Sequence, residues 1–177
     1  TAKGGSLTLC GEIKDCTVSS EAVVYVGKED PRYGKAIKGS ALQIDGANIH
    51  DCTASRIVYV GDTSWLAGMK DTIIEKNDCG NMGEVVYIYL NGNTDKHEMT
   101  IQDSTIRDNR GTGVTAYLSD AVGRHTLTLN KVTITGNVNE PYQSNRMCTG
   151  GGVYIRDGGT VNITDCTIEN NEAYIGG

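Results

Sequence analysis

Several absences narrow the class of this protein. The 177-residue sequence contains no phenylalanine, two prolines and one tryptophan. It has no apolar run of about 18 residues, so no segment is predicted to insert into a membrane. Acidic residues outnumber basic ones by 22 to 16, and this balance argues against the basic face of a nucleic-acid-binding protein. The first ten residues also lack the basic start and apolar run of a signal peptide.

The cysteines do not follow a metal-binding pattern. There are six of them, and none forms a C-x-x-C pair, so a zinc ribbon is not predicted. No cofactor is expected from the sequence. An incidental Ca²⁺ between acidic turns stays open, because several aspartates fall at the predicted turns.

What the sequence does contain is an internal repeat of β character. Thr, Asn, Asp, Ile and Val recur between 23 glycines, which is typical of short strands and tight turns. The shared pattern is apolar, any, apolar, four residues, Ile, two residues, and then Asn or Cys. Its six copies are LTLCGEIKDC (7–16), LQIDGANIHDC (42–52), AGMKDTIIEKN (67–77), MTIQDSTIRDN (99–109), LTLNKVTITGN (127–137) and VNITDCTIENN (161–171). The first copy is one residue shorter than the others, between its second apolar position and the Ile.

Repeats of this kind predict a parallel β-solenoid of about six coils. The steps between closing positions vary from 25 residues (52 to 77) to 36 residues (16 to 52), and no copy has a helical apolar period. Stacked coils would bury the alternating apolar residues in one continuous core. The residues predicted to point inward are Leu7, Leu9, Leu42, Ile44, Ala67, Met69, Met99, Ile101, Leu127, Leu129, Val161 and Ile163, with Ile13, Ile49, Ile74, Ile106, Ile134 and Ile168.

The closing position of each repeat predicts a column of side chains. Asn77, Asn109, Asn137 and Asn171 are expected to hydrogen-bond up and down the stack. Cys16 and Cys52 occupy the same position in the first two repeats. They would form either a disulfide or a stacked pair of buried thiols. Cys148 either tethers the insertion 138–150 to Cys166 or is a free thiol.

The pattern resembles the right-handed parallel β-helix of pectin-lyase-like proteins. It is similar in particular to the repeats of bacterial surface adhesins and chlamydial polymorphic membrane proteins, which carry Gly-Gly-apolar and aromatic-x-x-Asn motifs. The matching stretches are Gly151-Gly152-Val153 and the Ile-x-x-Asn sets that end at the four asparagines, with Ile in the aromatic position. The resemblance implies an all-β, right-handed, single-stranded parallel β-helix. Residues 1–177 are expected to be one segment of a longer surface protein.

Some pectin-lyase-like proteins cleave polysaccharides, but their full catalytic pattern does not occur here. Asn93-Thr94-Asp95 matches one element of the polygalacturonase pattern, but the Asp-Asp, Gly-His-Gly and Arg-x-Lys elements do not accompany it. The three histidines are interpreted as falling at unrelated points of the coil. Acids near Arg107 are interpreted as turn residues rather than Ca²⁺ ligands of a lyase. They are Asp45, Asp51, Asp103, Asp108 and Asp165.

A tyrosine recurs in a second strand after each repeat. Each lies between two apolar residues, so alternation places its ring outside. Such a column either stacks on itself or forms a docking stripe for sugar rings or a partner protein. The predicted stripe comprises Tyr25, Tyr59, Tyr87, Tyr117, Tyr154 and Tyr174.

Loops of variable length follow these tyrosine strands and are predicted to form a binding edge. The loop 27–40 carries Lys28, Arg32 and Lys35, a set that suits an anionic glycan or is simply solvated. Trp65, in the second loop, is expected to be a sugar platform or a hydrophobic plug.

Together these features predict a non-enzymatic segment of a bacterial cell-surface or secreted adhesin. Its partners would be a host glycoprotein, a polysaccharide, or other parts of the same long chain. The alternative is a polysaccharide lyase or glycoside hydrolase of the pectin-lyase-like class, with catalytic residues partly outside this segment.

Overall fold

A computed structural model describes residues 5–27, 39–61, 64–91, 96–119, 125–140 and 149–177. Within these ranges the chain forms three parallel sheets, and no helix is present that could span a membrane. The ten-stranded first sheet contains β1 (Ser6–Lys14), β3 (Ala41–His50), β5 (Trp65–Lys70), β6 (Ile73–Glu75), β8 (Glu98–Gln102), β9 (Thr105–Arg107), β11 (Thr126–Asn130), β12 (Thr133–Thr135), β15 (Thr160–Thr164) and β16 (Thr167–Glu169). The five-stranded second sheet contains β2 (Ala22–Val26), β4 (Arg56–Gly61), β7 (Glu84–Asn91), β10 (Thr112–Ser119) and β14 (Val153–Arg156), and the third contains β13 (Val138–Asn139) and β17 (Glu172–Ala173).

The predicted repeats are the rungs of the first sheet. Strands β1, β3, β5, β8, β11 and β15 stack in chain order, and equivalent repeat positions face one another, as Leu127 faces Met99 and Leu129 faces Ile101. The parallel β-solenoid is therefore confirmed. Because the second sheet has five strands, the six repeats correspond to rungs rather than to six complete turns.

The alternating apolar residues form one core between the sheets. Ile44, Ile49, Ile74, Ile106 and Ile134 are fully buried. Each contributes about 1.5–3 kcal/mol relative to an exposed position. In the outermost described rungs the equivalent residues are more open, with Leu7 42% and Ile163 47% exposed, because each of these rungs has a neighbour on one side only.

One predicted inward residue is wrong. Ala67 is exposed, and Leu66 pairs with Leu42 and is fully buried. The register then shifts, so that Met69 pairs with Ile44 as expected. A β-bulge at this point inserts one extra residue, and the alternation of inward and outward side chains moves by one position.

The turns between rungs explain the abundant aspartates. Asp51, Asp103, Asp108 and Asp165 have φ between 47° and 54°, in the left-handed region that aspartate tolerates better than most residues. Asp45 precedes Gly46, whose φ is 64°. The interpretation as turn residues therefore agrees with the backbone for the first four acids, whereas Asp45 lies within strand β3 and pairs with Lys70 of β5. The described residues contain no cluster of three or more His, Cys, Asp or Glu side chains suited to a metal ion.

The asparagine column is confirmed in detail. Asn109 Oδ1 accepts hydrogen bonds from the backbone N and from Nδ2 of Asn77, each at 3.0 Å. Asn109 Nδ2 donates to Ile74 O at 3.0 Å and to Asn137 Oδ1 at 2.9 Å. Asn137 repeats this arrangement with Asn171. Each buried amide therefore satisfies backbone groups of the turn as well as the amide of the neighbouring rung.

The two cysteines at the head of this column are stacked thiols. Cys16 and Cys52 are free, and their Sγ atoms donate to the carbonyl oxygens of Lys14 and His50 at 3.4 and 3.2 Å. Burial raises the pKa of the Cys52 thiol, which keeps it protonated as a donor. Cys166 is also free, and Cys148 lies outside the described residues.

Candidate functional site: the tyrosine stripe

The outer face of the second sheet carries a row of stacked tyrosines. Apolar residues of β7, such as Val86 and Ile88, point into the core, so Tyr87 and Tyr89 lie on the opposite face. We call the row the tyrosine stripe, and it consists of Tyr25, Tyr59, Tyr87, Tyr89 and Tyr117.

The rings of the stripe contact one another along the solenoid. The ring centroids of Tyr25 and Tyr59 are 4.8 Å apart with planes at 12°, and those of Tyr59 and Tyr87 are 5.7 Å apart at 42°. Tyr89 and Tyr117 are again 4.8 Å apart, at 28°. The self-stacking predicted as one alternative is therefore present. Stacked faces are occupied by neighbouring rings, so a partner meets mainly the edges and phenol groups.

The stripe changes column within β7. Tyr87 pairs with Tyr59 on one side, but on the other side it pairs with Thr115. Tyr117 pairs instead with Tyr89, and the centroids of Tyr87 and Tyr89 are 6.0 Å apart. The predicted alignment of Tyr117 with Tyr87 is wrong by two residues. Tyr89 was not predicted, although its spacing of two from Tyr87 was the signal for a shared face.

Glycines make room for the first rings of the stripe. A Cβ atom on Gly61 would collide with the ring of Tyr59, and a Cβ on Gly27 would lie 3.0 Å from the Tyr25 hydroxyl oxygen. Each glycine follows its tyrosine by two residues, the position that Tyr89 occupies after Tyr87. The two rings therefore lean over backbone that has no side chain.

Two arginines lie against the stripe. The guanidinium carbon of Arg56 is 4.6 Å from the Tyr87 ring centroid and 5.4 Å from that of Tyr59. That of Arg156 is 5.4 Å from the Tyr117 centroid. Both are cation–π contacts.

A partly buried carboxylate holds the first of these arginines. Arg56 Nε donates to Glu84 Oε2 at 3.1 Å. Burial raises the pKa of Glu84, and the neighbouring Arg56 opposes that shift. Burial likewise raises the pKa of the Tyr87 phenol. Arg56 is thus positioned against the rings by an ion pair rather than left to move in solvent.

Two of the predicted stripe residues lie elsewhere. Tyr154 pairs with Thr115, so it belongs to the Tyr87 column but is separated from Tyr87 by one rung without a ring. Tyr174 is 50% exposed and follows β17, outside the second sheet, because Ile175 bridges to Thr149. The tripeptide AYI (173–175) resembles VYI (153–155) in sequence, but only the latter forms a strand of the second sheet.

Trp65 belongs to a second ring column at the start of the first sheet. Its ring is stacked on His97 with centroids 4.6 Å apart, and His97 is stacked on His125 at 5.6 Å. His125 is fully buried and His97 nearly so, at 0% and 8% exposure. The interpretation of these histidines as falling at unrelated points is wrong. Each precedes the first inward residue of its repeat by two positions, and this shared offset was readable in the sequence.

His50 is held between two carboxylates on the outer face of the first rungs. Its Nδ1 lies 2.6 Å from Asp51 Oδ2, and its Nε2 lies 3.1 Å from Glu12 Oε1. These bonds raise the pKa of His50, Asp51 having the larger effect, and the pKa of Glu12 is lowered mainly by its bond to His50. This is an ion-pair cluster between adjacent rungs.

Some predicted features lie outside the described residues. They include Lys28, Arg32 and Lys35 of the first loop and the Asn93-Thr94-Asp95 stretch.

Comparison with known proteins agrees with this architecture. The model of the right handed beta helix region matches residues 4–146, which are 143 of the 177 residues. No curated protein and no solved structure gives a significant match to this chain. The matched residues include the first five repeats and all five tyrosines of the stripe. The chain is therefore a member of the right-handed β-helix family.

Proposed function

We propose that this chain is a non-enzymatic segment of a secreted or cell-surface adhesin, and that its tyrosine stripe binds a glycan of a polysaccharide or host glycoprotein. The observation that supports this proposal is the continuous row of five tyrosines on an outer sheet face, with Arg56 and Arg156 held against it. Tyrosine and arginine are both enriched in protein–protein interfaces and in their hot spots, where they provide much of the binding energy.

The geometry favours an extended ligand that runs along the solenoid axis. Successive ring centroids are separated by 4.8 to 6.0 Å, so phenol groups recur at nearly every rung. Each phenol both donates and accepts hydrogen bonds, as sugar hydroxyls do. The rings are supported by one another and by a packed sheet, so little side-chain entropy is lost on binding.

The test is a binding screen on an array of glycans and host glycoproteins, using the wild-type chain and two double variants. Tyr59→Phe with Tyr87→Phe removes two phenol oxygens and keeps the stack, whereas Tyr59→Ala with Tyr87→Ala removes the rings. We expect the Phe pair to weaken binding by about tenfold for each hydrogen bond lost. The Ala pair should abolish binding.

The matched control is Tyr174→Phe, the same change at an exposed tyrosine outside the stripe. It should leave binding unchanged. Thermal unfolding would verify that each variant is folded. An array on which the wild-type chain binds nothing, or on which folded Ala variants bind normally, overturns the proposal. Shortening of a bound polysaccharide during incubation would instead favour the alternative, a lyase or glycoside hydrolase.

A further inference from the structure

Two cysteines face each other across the first two rungs, at the head of the asparagine column. Thr17 and Thr53 form a parallel bridge with an offset of 36 residues, and Cys16 and Cys52 have the same offset. Thr53 N donates to Cys16 O at 2.8 Å, which fixes this register. Because neighbouring strands lie about 4.8 Å apart, the two cysteines are stacked at that spacing although they are far apart in the sequence.

The two side chains have the same orientation. Each thiol donates to the carbonyl oxygen two residues earlier, that of Cys16 to Lys14 at 3.4 Å and that of Cys52 to His50 at 3.2 Å. Their sulfurs are therefore separated by about one rung spacing. Burial raises the pKa of the Cys52 thiol, and the Cys16 thiol adds to that shift, so the two groups interact. The thiol contact of Cys16 is exposed, which gives an ion access to the pair from solvent.

Cysteine at these positions gives up hydrogen bonds that asparagine makes in the later rungs. Asn77 Nδ2 donates to Ile49 O at 3.0 Å and also to the amide of the next rung. The thiol of Cys52 has a single hydrogen, which is directed to His50 O. The turn therefore exchanges an amide for two adjacent sulfurs, and this exchange indicates a role for the sulfurs beyond filling space.

The spacing of the sulfurs suits a two-coordinate metal ion. A direct disulfide would require sulfurs about 2.05 Å apart. Two metal–sulfur bonds of about 2.3 Å in line span about 4.6 Å, close to one rung spacing. Among the described residues no cluster of three or more His, Cys, Asp or Glu side chains is suited to a metal, so the shells of zinc and calcium are not provided. Thiolates select soft ions.

The charged groups around the pair favour a bivalent ion. Asp15 and Asp51 flank it at the turns, where their φ angles are 55° and 54°. The neighbouring basic groups, Lys14 and His50, are both paired with Glu12. A univalent ion between two thiolates would leave one net negative charge beside these carboxylates, whereas a bivalent ion gives a neutral complex that is less costly to bury.

We propose that Cys16 and Cys52 bind one soft bivalent metal ion of the mercury(II) type, in linear coordination between the first two rungs. Each S–H bond is replaced by a metal–sulfur bond, both protons pass to solvent, and no electron is transferred. The carbonyl oxygens of Lys14 and His50 lose only weak thiol donors. The site is separate from the tyrosine stripe, and its occupation does not depend on glycan binding there.

The test is a competition experiment in which the reduced chain receives one equivalent of mercury(II) chloride and is then titrated with glutathione. Native mass spectrometry gives the glutathione concentration that removes half of the ion. We expect one retained ion per chain, with two sulfur ligands at about 2.3 Å in X-ray absorption. Cys16→Ser removes one ligand, so this concentration should fall by more than the about 100-fold that loss of an outer-shell partner can cost.

Matched variants make the result decisive. Cys10→Ser, at an exposed free cysteine of the same strand, should leave retention unchanged. Cys52→Ala should lower it as Cys16→Ser does, and thermal unfolding would verify that both variants are folded. Silver(I), a univalent soft ion, should be displaced at a lower glutathione concentration. The proposal is overturned if a folded Cys16→Ser variant retains mercury(II) like the wild type, if a third ligand appears, or if silver(I) is retained equally well.

Discussion

The asparagine column offers the strongest test of how this fold is stabilised, through the substitution Asn109→Ala. The Asn109 side chain makes four hydrogen bonds, two accepted by Oδ1 and two donated by Nδ2, and the residue is 2% exposed. At about 1 kcal/mol net for each bond, the loss in the free energy of unfolding is about 4 kcal/mol. Buried groups left without partners add to this loss, and any relaxation of the turn reduces it.

The assay is urea-induced unfolding followed by far-ultraviolet circular dichroism. The matched control is Asn162→Ala, the same change at an exposed asparagine of β15, which should alter stability by about 0.5 kcal/mol or less. The stability of a solenoid is approximately a sum of contributions from single repeats and from their contacts with neighbours. The urea midpoints of the variant and of the control are therefore compared directly.

The same experiment can show whether the column acts as a unit. Asn109 and Asn137 are joined by a bond of 2.9 Å between their amides, so the double variant should lose less stability than the sum of the single variants. Equal effects for Asn109→Ala and Asn162→Ala would refute the view that the stacked amides stabilise the turns.

Two further predictions concern other contacts between rungs. The stabilisation contributed by His50 is complete below its ordinary pKa and is lost as the pH rises through its raised pKa. The stabilisation contributed by Glu12 is complete above its ordinary pKa and is lost as the pH falls through its lowered pKa. Glu12→Gln should therefore lower the pKa of His50 in an NMR titration, and an unchanged pKa contradicts the pairing. Gly61→Ala should displace the Tyr59 ring and cost about 1–3 kcal/mol, because the new methyl group occupies the position of the ring. Unchanged chemical shifts of the Tyr59 ring would contradict this packing.

The architecture was predictable because a solenoid is a local repeat. Each rung contacts only its neighbours, so a pattern of apolar spacing repeated along the chain specifies both the pairing and the core. Ile74 and Ile106 are partners in the structure, and Asn77 and Asn109 are bonded through their amides, as equal offsets in the sequence predict. The asparagine is informative because a buried amide in a turn needs partners above and below it.

The candidate site was predicted only in part, because its residues follow segments of variable length. The strands of the second sheet begin after turns of different length. Sequence similarity alone therefore aligned Tyr117 with Tyr87 rather than with Tyr89, two residues further on, and Tyr89 was missed. A β-bulge in β5 likewise places Leu66 in the core position that the sequence pattern assigned to Ala67. A shift of two residues keeps a side chain on the same face, which is why the prediction of an outward tyrosine row survived these errors of register.

The sequence by itself determined that this chain stacks parallel rungs around an aliphatic core, with asparagines at one turn and tyrosines outside. Only the tertiary structure decided where those tyrosines meet and that Glu84 holds Arg56 against them by an ion pair. The physical reason is the range of each interaction. Core and turn contacts recur with the repeat and appear in its spacing, whereas the tyrosine stripe joins residues that follow turns of different length.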